Sequence, residues 1–269
     1  MRIAAVQHDV VWEDREANHA RLAPQVAHAV GAGADLVLLS ETFSTGFSMT
    51  PGIGEPEGGS SAQWLQAQAA EHGVWVGGSC AEVAEDDPRP FNSFVLAGPD
   101  GEVHRYRKLH PFTFAGEHER YRAGAEPVTV TVGGLRISLF VCYDLRFADE
   151  FWALAPDTDV YLVPANWPAA RRLHWQTLLQ ARAIENQAYV VGCNRVGKAG
   201  DGTEHVGDSR IVSPLGELLA TAAEGETILL ADVDAAEVAR VRDRFRFMAD
   251  RRPQSSASTP SNRTSSTSS

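Results

Sequence analysis

The sequence predicts an α/β domain with mixed sheets, and three observations carry that prediction. Short apolar runs typical of strands alternate with helix-like segments along the chain. The run DLVLLS at 35–40 is uninterrupted, as expected for a strand covered on both faces. Two further segments, 93–108 and 128–141, have the pattern of antiparallel hairpins. Helices and strands in this order predict layers of both kinds.

The individual elements follow in chain order. Outside the hairpins, the predicted strands are 3–7, 35–40, 74–80, 159–165, 188–194, 209–220 and 227–234. The first hairpin turns at Pro-Asp-Gly and the second at Gly133 and Gly134. The predicted helices are 17–30, 62–71, 146–154, 174–187 and 235–242. Glycines follow the first two helices closely, and glycine just past the last apolar turn is a common helix stop.

The composition limits the classes of protein to which the chain can belong. Of 269 residues, 43% are hydrophobic and 22% are charged, close to the globular average. We expect one domain over 1–250 and a disordered tail over 251–269, because Ser/Thr-rich sequence buries too little apolar surface to fold. The net charge of −11 argues against nucleic-acid and anionic-membrane partners, which need a basic face.

Cysteine usage and the N-terminus predict a reduced, cytoplasmic protein. Cys80, Cys142 and Cys193 are widely spaced and form no CxxC pair, so neither a disulfide framework nor a zinc ribbon is indicated. Charge enters the N-terminal sequence too early for a signal peptide, and no apolar run reaches the roughly 18 residues of a membrane span.

Three residues at predicted strand ends are candidates for catalysis. Cys142 follows ISLFV at a turn, where a helix N-terminus would stabilise its thiolate, although free cysteines are often only small buried residues. Glu41 follows DLVLLS, where burial would move its pKa toward that of a general base; a loop or capping glutamate is the alternative. Lys108 could stabilise an oxyanion or be a solvated strand-end lysine.

Taken together, these residues and their flanking sequences resemble the carbon–nitrogen hydrolase (nitrilase/amidase) superfamily. The phrases that carry the resemblance are LLSETFSTGF, YRKLHPF, FVCYDLRF, VPANWP, HWQTLLQARAIENQAYVVGCNRVG and GDSRIVSPLGE. They extend over nearly the whole chain up to about Met248. The resemblance implies a four-layer α-β-β-α sandwich that pairs into homodimers and needs no metal or organic cofactor.

The resemblance also assigns roles at matching positions. It makes Glu41 the general base, Lys108 the catalytic lysine and Cys142 the nucleophile. Many members have a second glutamate seven residues before a glycine. In this chain that spacing selects Glu117, and an alternative alignment would select Glu119. The backbone N–H of Tyr143, directly after the nucleophile, is implied to bind the oxyanion.

Within the superfamily, the sequence looks most like the omega-amidase group, which hydrolyses the terminal amides of 2-oxo dicarboxylic acid monoamides. Such substrates carry a carboxylate, for which bidentate arginine is suited. The candidate arginines are Arg146, Arg171, Arg172 and Arg195, and the aromatic residues that could line the pocket are Phe43, Phe47, Trp167 and Trp175. Core packing is the alternative role for at least half of these aromatic residues.

Other functions remain open at this stage. An aliphatic amidase, an N-carbamoyl hydrolase and a deaminated-glutathione hydrolase share the same chemistry, and sequence cannot resolve the shape of the pocket. A papain-type cysteine–histidine hydrolase, a zinc hydrolase and a binding module on the same fold are more distant alternatives. The histidines lie in no papain-like phrase and form no HxH or HxxxH pair, and the three candidate catalytic residues are all present.

Overall fold

The computed structural model describes residues 1–252, so the predicted tail lies outside the described residues from Pro253 onward. Six α-helices are described: α1 (Arg15–Gly31), α2 (Ser60–His72), α3 (Glu117–Arg120), α4 (Ala148–Leu154), α5 (Arg172–Asn186) and α6 (Ala235–Arg244). The strands are β1 (Arg2–Gln7), β2 (Leu36–Leu38), β3 (Glu55–Pro56), β4 (Trp75–Val83), β5 (Phe91–Ala97), β6 (Val103–Arg107), β7 (Val128–Val132), β8 (Leu135–Leu139), β9 (Val160–Ala165), β10 (Tyr189–Asn194), β11 (Val196–Lys198), β12 (Glu204–Val206), β13 (Arg210–Val212), β14 (Leu218–Thr221) and β15 (Thr227–Asp232).

Two mixed sheets form the centre of the domain. The first has the order β15-β1-β2-β4-β5-β6, with β3 also pairing with β4, and the second has the order β14-β13-β10-β9-β8-β7. The inner pairs are parallel in both sheets: β1 with β2, β2 with β4, β8 with β9, and β9 with β10. Antiparallel strands flank them, so the sheets are mixed as the sequence predicts.

Alternate side chains of β1 show how the layers stack. Ile3 and Ala5 belong to the core that includes the second sheet, whereas Ala4 and Val6 pack with α1 and α2. On the far side, Trp175 and Leu179 of α5 pack against β10 of the second sheet. Each fully buried aliphatic side chain contributes about 1.5–3 kcal/mol. The layers are therefore helix, sheet, sheet and helix, which confirms the predicted four-layer α-β-β-α sandwich.

The sequence prediction missed three small elements. β3, the β11–β12 hairpin and α3 have only two to four residues per segment and no clear apolar period. The strand predicted at 35–40 is also shorter than expected, since β2 spans only Leu36–Leu38. The helix predicted at 146–154 corresponds to α4, which begins two residues later, at Ala148, and a 3-10 turn, Cys142–Arg146, precedes it.

The carboxyl ends of several strands meet at one edge of the sandwich. Glu41 follows β2, Lys108 follows β6, Cys142 follows β8 and Asn166 follows β9. Because catalytic groups gather at the carboxyl ends of parallel strands, this edge is where a site is expected. Within residues 1–252, no helix is both long and apolar enough to cross a membrane.

Candidate active site

Lys108 lies between two buried carboxylates at this edge. Its Nζ donates to Glu41 Oε1 at 3.0 Å and to the two oxygens of Glu117 at 3.1 and 2.9 Å. None of the three residues is more than 1% exposed. Two negative charges and one positive charge are thus removed from water, and burial of that kind needs further hydrogen bonds to be tolerated.

Neutral donors supply those hydrogen bonds. Asn92 Nδ2 donates to Glu41 Oε1 at 2.8 Å and to Glu117 Oε1 at 3.3 Å, and the Phe112 amide donates to Glu117. The Asn166 amide donates to Glu41 Oε2 at 2.7 Å. The Asn166 side chain donates to the Glu41 carbonyl, also at 2.7 Å. Every carboxylate oxygen of the cluster therefore has a fixed donor.

The electrostatics of the cluster keep Lys108 charged. Burial by itself lowers the pKa of Lys108, but the carboxylates of Glu117 and Glu41 outweigh it and hold that pKa well above its ordinary value. Burial raises the pKa of Glu117, against the opposing effect of Lys108. Lys108 Nζ also lies 5.2 Å from the centre of the Phe47 ring, whose face favours a cation.

Cys142 begins the 3-10 turn with a strained backbone. Its φ is +47°, in the left-handed region that costs a non-glycine residue about 1 kcal/mol or more. Burial raises the pKa of its thiol well above the ordinary value, and the adjacent Glu41 charge raises it further, against Lys108. A five-residue 3-10 turn follows Cys142, where the sequence predicted the N-terminus of a helix, and burial opposes the thiolate there. The Cys142 thiol has the Glu41 side chain as its neighbour.

A cavity of about 350 Å³ opens onto Cys142 and Lys108. Aromatic side chains form much of its wall, and they are Phe47, Phe112, Phe114, Tyr143 and Trp167. Tyr143 follows Cys142, and its N–H belongs to the first turn of the 3-10 helix, where amides have no partner within the helix. The amide is therefore available to a ligand that enters the cavity beside the thiol.

Two of the four candidate arginines line the cavity without a carboxylate partner among residues 1–252. These are Arg146 and Arg171. Arg195 also contributes to the wall, but its Nη2 is bound to Asp9 Oδ1 at 2.6 Å. Arg172 lies outside the cavity and holds both oxygens of Asp208 at 2.9 Å, so its assignment to substrate binding is wrong.

The aromatic candidates divide in the same way. Phe47 and Trp167 line the cavity. Phe43 is fully buried in the core beneath α1 and α2, with Trp64 5.6 Å away, so its assignment as a pocket wall is wrong. Trp175 lies in the core between α5 and the second sheet.

The two glutamate registers have different environments. Glu117 is fully buried on Lys108, whereas Glu119 is exposed on the other side of α3. The structure therefore brings Glu117, and not Glu119, into the cluster.

Sequence reasoning missed three polar residues of the site. Asn166 lies in the sequence VPANWP directly after a predicted strand, and that position could have marked it as a candidate site residue. Asn92 lies within β5 and Asp144 within the nucleophile turn, and neither had a local pattern that marked it. Among the described residues, no group of three His, Cys, Asp or Glu side chains is arranged to hold a metal ion.

Comparison with known proteins agrees with this architecture. The carbon-nitrogen hydrolase family model matches residues 2–243. The chain is 41% identical over 247 residues to an omega-amidase, YafV, of Escherichia coli strain K12, covering 91% of this chain and 94% of the relative. It is 36% identical to a 2-oxoglutaramate amidase of Bacillus subtilis strain 168, covering 78% and 82%.

Solved structures give the same result. A protein of Xanthomonas campestris, XC1258, described as a CN-hydrolase superfamily protein with an arsenic adduct in the active site, superimposes with a TM-score of 0.89 at 37% identity, covering 94% of this chain and 97% of that one. An amidase from Nesterenkonia sp. AN1, in which acrylamide has added to the active-site cysteine, gives 0.79 at 26% identity, covering 93% and 99%. The chain therefore belongs to the carbon–nitrogen hydrolase family, and its relatives named above include hydrolases of amide bonds.

Proposed function

We propose that the protein is a cysteine-dependent omega-amidase that releases ammonia from a 2-oxo dicarboxylic acid monoamide such as 2-oxoglutaramate. The observation that carries the proposal is the Glu41 carboxylate, which accepts from Lys108 Nζ at 3.0 Å and also neighbours the Cys142 thiol. An omega-amidase and a 2-oxoglutaramate amidase among the relatives support the substrate class.

The first half of the reaction forms a thioester. Glu41 takes the thiol proton, and the Cys142 sulfur attacks the amide carbon, which moves an electron pair onto the carbonyl oxygen. The Lys108 ammonium and the Tyr143 amide stabilise the resulting oxyanion. Glu41 then passes its proton to the amide nitrogen, the carbon–nitrogen bond breaks, and ammonia leaves.

The second half consumes one water molecule. Glu41 accepts a proton from water while the water oxygen attacks the thioester carbon, and collapse of this second intermediate breaks the carbon–sulfur bond. The proton returns to the sulfur, so the products are the free acid and the resting enzyme. Glu117 keeps Lys108 in place through both halves, because it accepts from Nζ with two oxygens.

The substrate carboxylate is bound at Arg146 and Arg171. The Arg146 guanidinium lies 4.8 Å from the centre of the Trp167 ring, and Arg171 lies 5.2 Å from the Phe112 ring. These aromatic faces hold the two guanidinium groups. Nη2 of Arg146 also lies 3.2 Å from His174 Nδ1, and the other N–H groups of the two arginines are the donors for a bidentate anion. Burial lowers the pKa of Arg146, and the nearby Arg171 charge adds to that effect. An anion bound to both guanidinium groups would relieve the repulsion between their charges.

The decisive experiment measures ammonia release from 2-oxoglutaramate by the Cys142→Ala variant. We expect activity to disappear, because no thioester can form, and to be unaffected by a chelator in the unsubstituted protein. Cys80→Ala is the matched control, since Cys80 lies in the core away from the cavity and should leave turnover intact. Activity that survives Cys142→Ala contradicts the nucleophile assignment.

A substrate panel tests the second half of the proposal. We expect 2-oxoglutaramate and 2-oxosuccinamate to exceed butyramide, N-carbamoyl amino acids and deaminated glutathione in kcat/KM. A neutral aliphatic amide that performs as well as 2-oxoglutaramate would leave the chemistry standing but remove the omega-amidase assignment.

A homodimer in the cytoplasm completes the proposal. Large apolar side chains are exposed on α5 and on the segment that follows β13, and they are Leu173, Ile184, Leu215, Leu218 and Leu219. In a homodimer, a second copy of the chain would cover exposed apolar surface of this kind. Light scattering of the full chain should give twice the mass of 29.1 kDa, and Leu173→Asp should shift it toward the monomer.

A further inference from the structure

Asp144 connects the nucleophile turn to the lysine segment. It is fully buried, and its Oδ2 accepts from the Val141 amide at 2.9 Å and from the Tyr106 hydroxyl at 2.8 Å. Val141 directly precedes Cys142, and Tyr106 stands two residues before Lys108. One carboxylate therefore fixes the two catalytic segments relative to each other.

The other oxygen of Asp144 is held by His110. The His110 amide donates to Oδ1 at 3.0 Å, and the ring Nδ1 lies 3.1 Å from the same oxygen. On its opposite side, the ring Nε2 lies 3.7 Å from Glu150 Oε1 of α4. The ring also stacks on Phe147 with the ring centres 3.6 Å apart. The imidazole is thus placed between two carboxylates, one buried and one half-buried.

We propose that doubly protonated His110 is a positioning residue, which locks Asp144 and so holds Cys142 in its strained conformation facing Glu41. Only the imidazolium has an N–H for both Asp144 and Glu150; a neutral ring leaves one bare nitrogen against a carboxylate. Because the left-handed φ of Cys142 must be maintained by its surroundings, weakening this contact lets the nucleophile turn relax. The inference rests on the proposed cysteine chemistry, but not on the identity of the amide.

The charges around His110 predict the direction of a pH effect. Asp144 faces it from the 3-10 turn, and Glu150 and Asp149 face it from α4. Burial lowers the pKa of His110, but these acidic groups outweigh burial and raise the pKa above its ordinary value. The positioning contact is therefore complete below that raised pKa and is lost as the pH rises through it. The loss should lower kcat rather than raise KM, since His110 does not line the cavity.

The experiment compares two pH dependences. One is the fall of kcat as the pH rises, the alkaline limb of the kcat profile, and the other is the titration of the His110 ring. Nuclear magnetic resonance of the full chain gives the pKa of His110, assigned by the signal missing in His110→Asn. Glu150→Gln removes one facing charge, so both the ring pKa and the kcat limb should move to lower pH by the same amount. Glu119→Gln, which removes an exposed charge that does not face the ring, should move neither.

His110→Asn supplies a second measurement. The asparagine amide can donate to Asp144 but does not titrate, so this variant should lose the limb that coincides with His110. If Glu150→Gln moves the ring pKa but not the limb, or if the ring titrates at or below its ordinary pKa, the positioning role is wrong. The alkaline limb of kcat can be measured with any amide that the protein hydrolyses, and the pKa of the His110 ring can be measured without a substrate. Failure of this inference is thus distinguishable from failure of the omega-amidase assignment.

Discussion

Positively charged side chains have opposite environments in two regions of the same cavity. At its floor, Lys108 has two carboxylates, Glu41 and Glu117, within 3.1 Å of its Nζ. At its wall, Arg146 and Arg171 have no carboxylate partner among residues 1–252 and rest on aromatic rings instead. The difference is notable in a chain with a net charge of −11, in which acidic partners are abundant.

This contrast separates two uses of a positive charge. A lysine that must meet an oxyanion for part of the reaction has to be fixed before substrate arrives, and buried carboxylates fix it. An arginine that must bind a substrate anion has to keep its donors free, and a resident carboxylate would compete with the ligand. The carboxylate partner that Arg146 and Arg171 lack among residues 1–252 is therefore supplied by the substrate.

The largest expected effect comes from removing the fixed charge. Lys108→Met leaves Glu41 and Glu117 buried together without a cation, and breaking a buried ion pair in this way costs about 3–5 kcal/mol. We expect that loss in the free energy of unfolding measured with urea, and ammonia release at least about 1,000-fold lower, comparable with the loss of a strong oxyanion donor.

A double variant sharpens this prediction. The double variant Lys108→Met, Glu117→Gln removes one of the two buried negative charges that Lys108→Met leaves without a cation. It should therefore recover a substantial part of the free energy of unfolding but none of the activity. Recovery of turnover in the double variant would contradict the oxyanion role of Lys108. A Lys108→Met protein as stable as the parent would contradict the ion-pair argument.

The second effect concerns the unpaired arginines. Arg146→Ala or Arg171→Ala should lower kcat/KM for 2-oxoglutaramate about 10- to 100-fold, the value of a hydrogen bond to a charged group. Both variants should leave kcat/KM for neutral butyramide nearly unchanged. Arg172→Ala is the matched control: it breaks the Asp208 pair and so lowers stability, but it should not change the preference for the anionic amide. Equal losses with both substrates would show that the arginines support the wall rather than bind a carboxylate.

The sequence specified the positions at strand ends better than the side-chain environments. Glu41 and Cys142 are each preceded by an apolar run, and Lys108 by the second strand of a predicted hairpin. Parallel pairing of β2 with β4 and of β8 with β9 brings the carboxyl ends of strands to one edge. The four-layer order likewise followed from the family resemblance. What could not be predicted was whether a given arginine or aromatic side chain turns toward the cavity or toward a neighbour.

Phe43 and Phe47 illustrate the limit. They are four residues apart in one loop, yet Phe43 is in the core and Phe47 faces Lys108. The loop has no regular period, so spacing does not indicate the direction of either ring. The same holds for Arg171 and Arg172, adjacent residues of which one lines the cavity and the other pairs with Asp208. That choice depends on Asp208, 36 positions further along the chain, which no local pattern reveals.

The smallest expected effect is a pH dependence of stability that originates at the floor of the cavity. Because burial raises the pKa of Glu117 in the folded protein, the unfolded chain gives up this proton at lower pH than the folded chain does. Ionisation of Glu117 therefore removes stability as the pH rises from its ordinary pKa through the raised one. In Glu117→Gln this contribution is absent, so the free energy of unfolding of the variant relative to the parent should increase across that window. Urea titrations from pH 4 to pH 8 measure the difference. A difference that is flat or falls with pH would show that the Lys108 charge outweighs burial in setting the pKa of Glu117. The charges at the floor of the cavity would then offset each other more completely than we infer here.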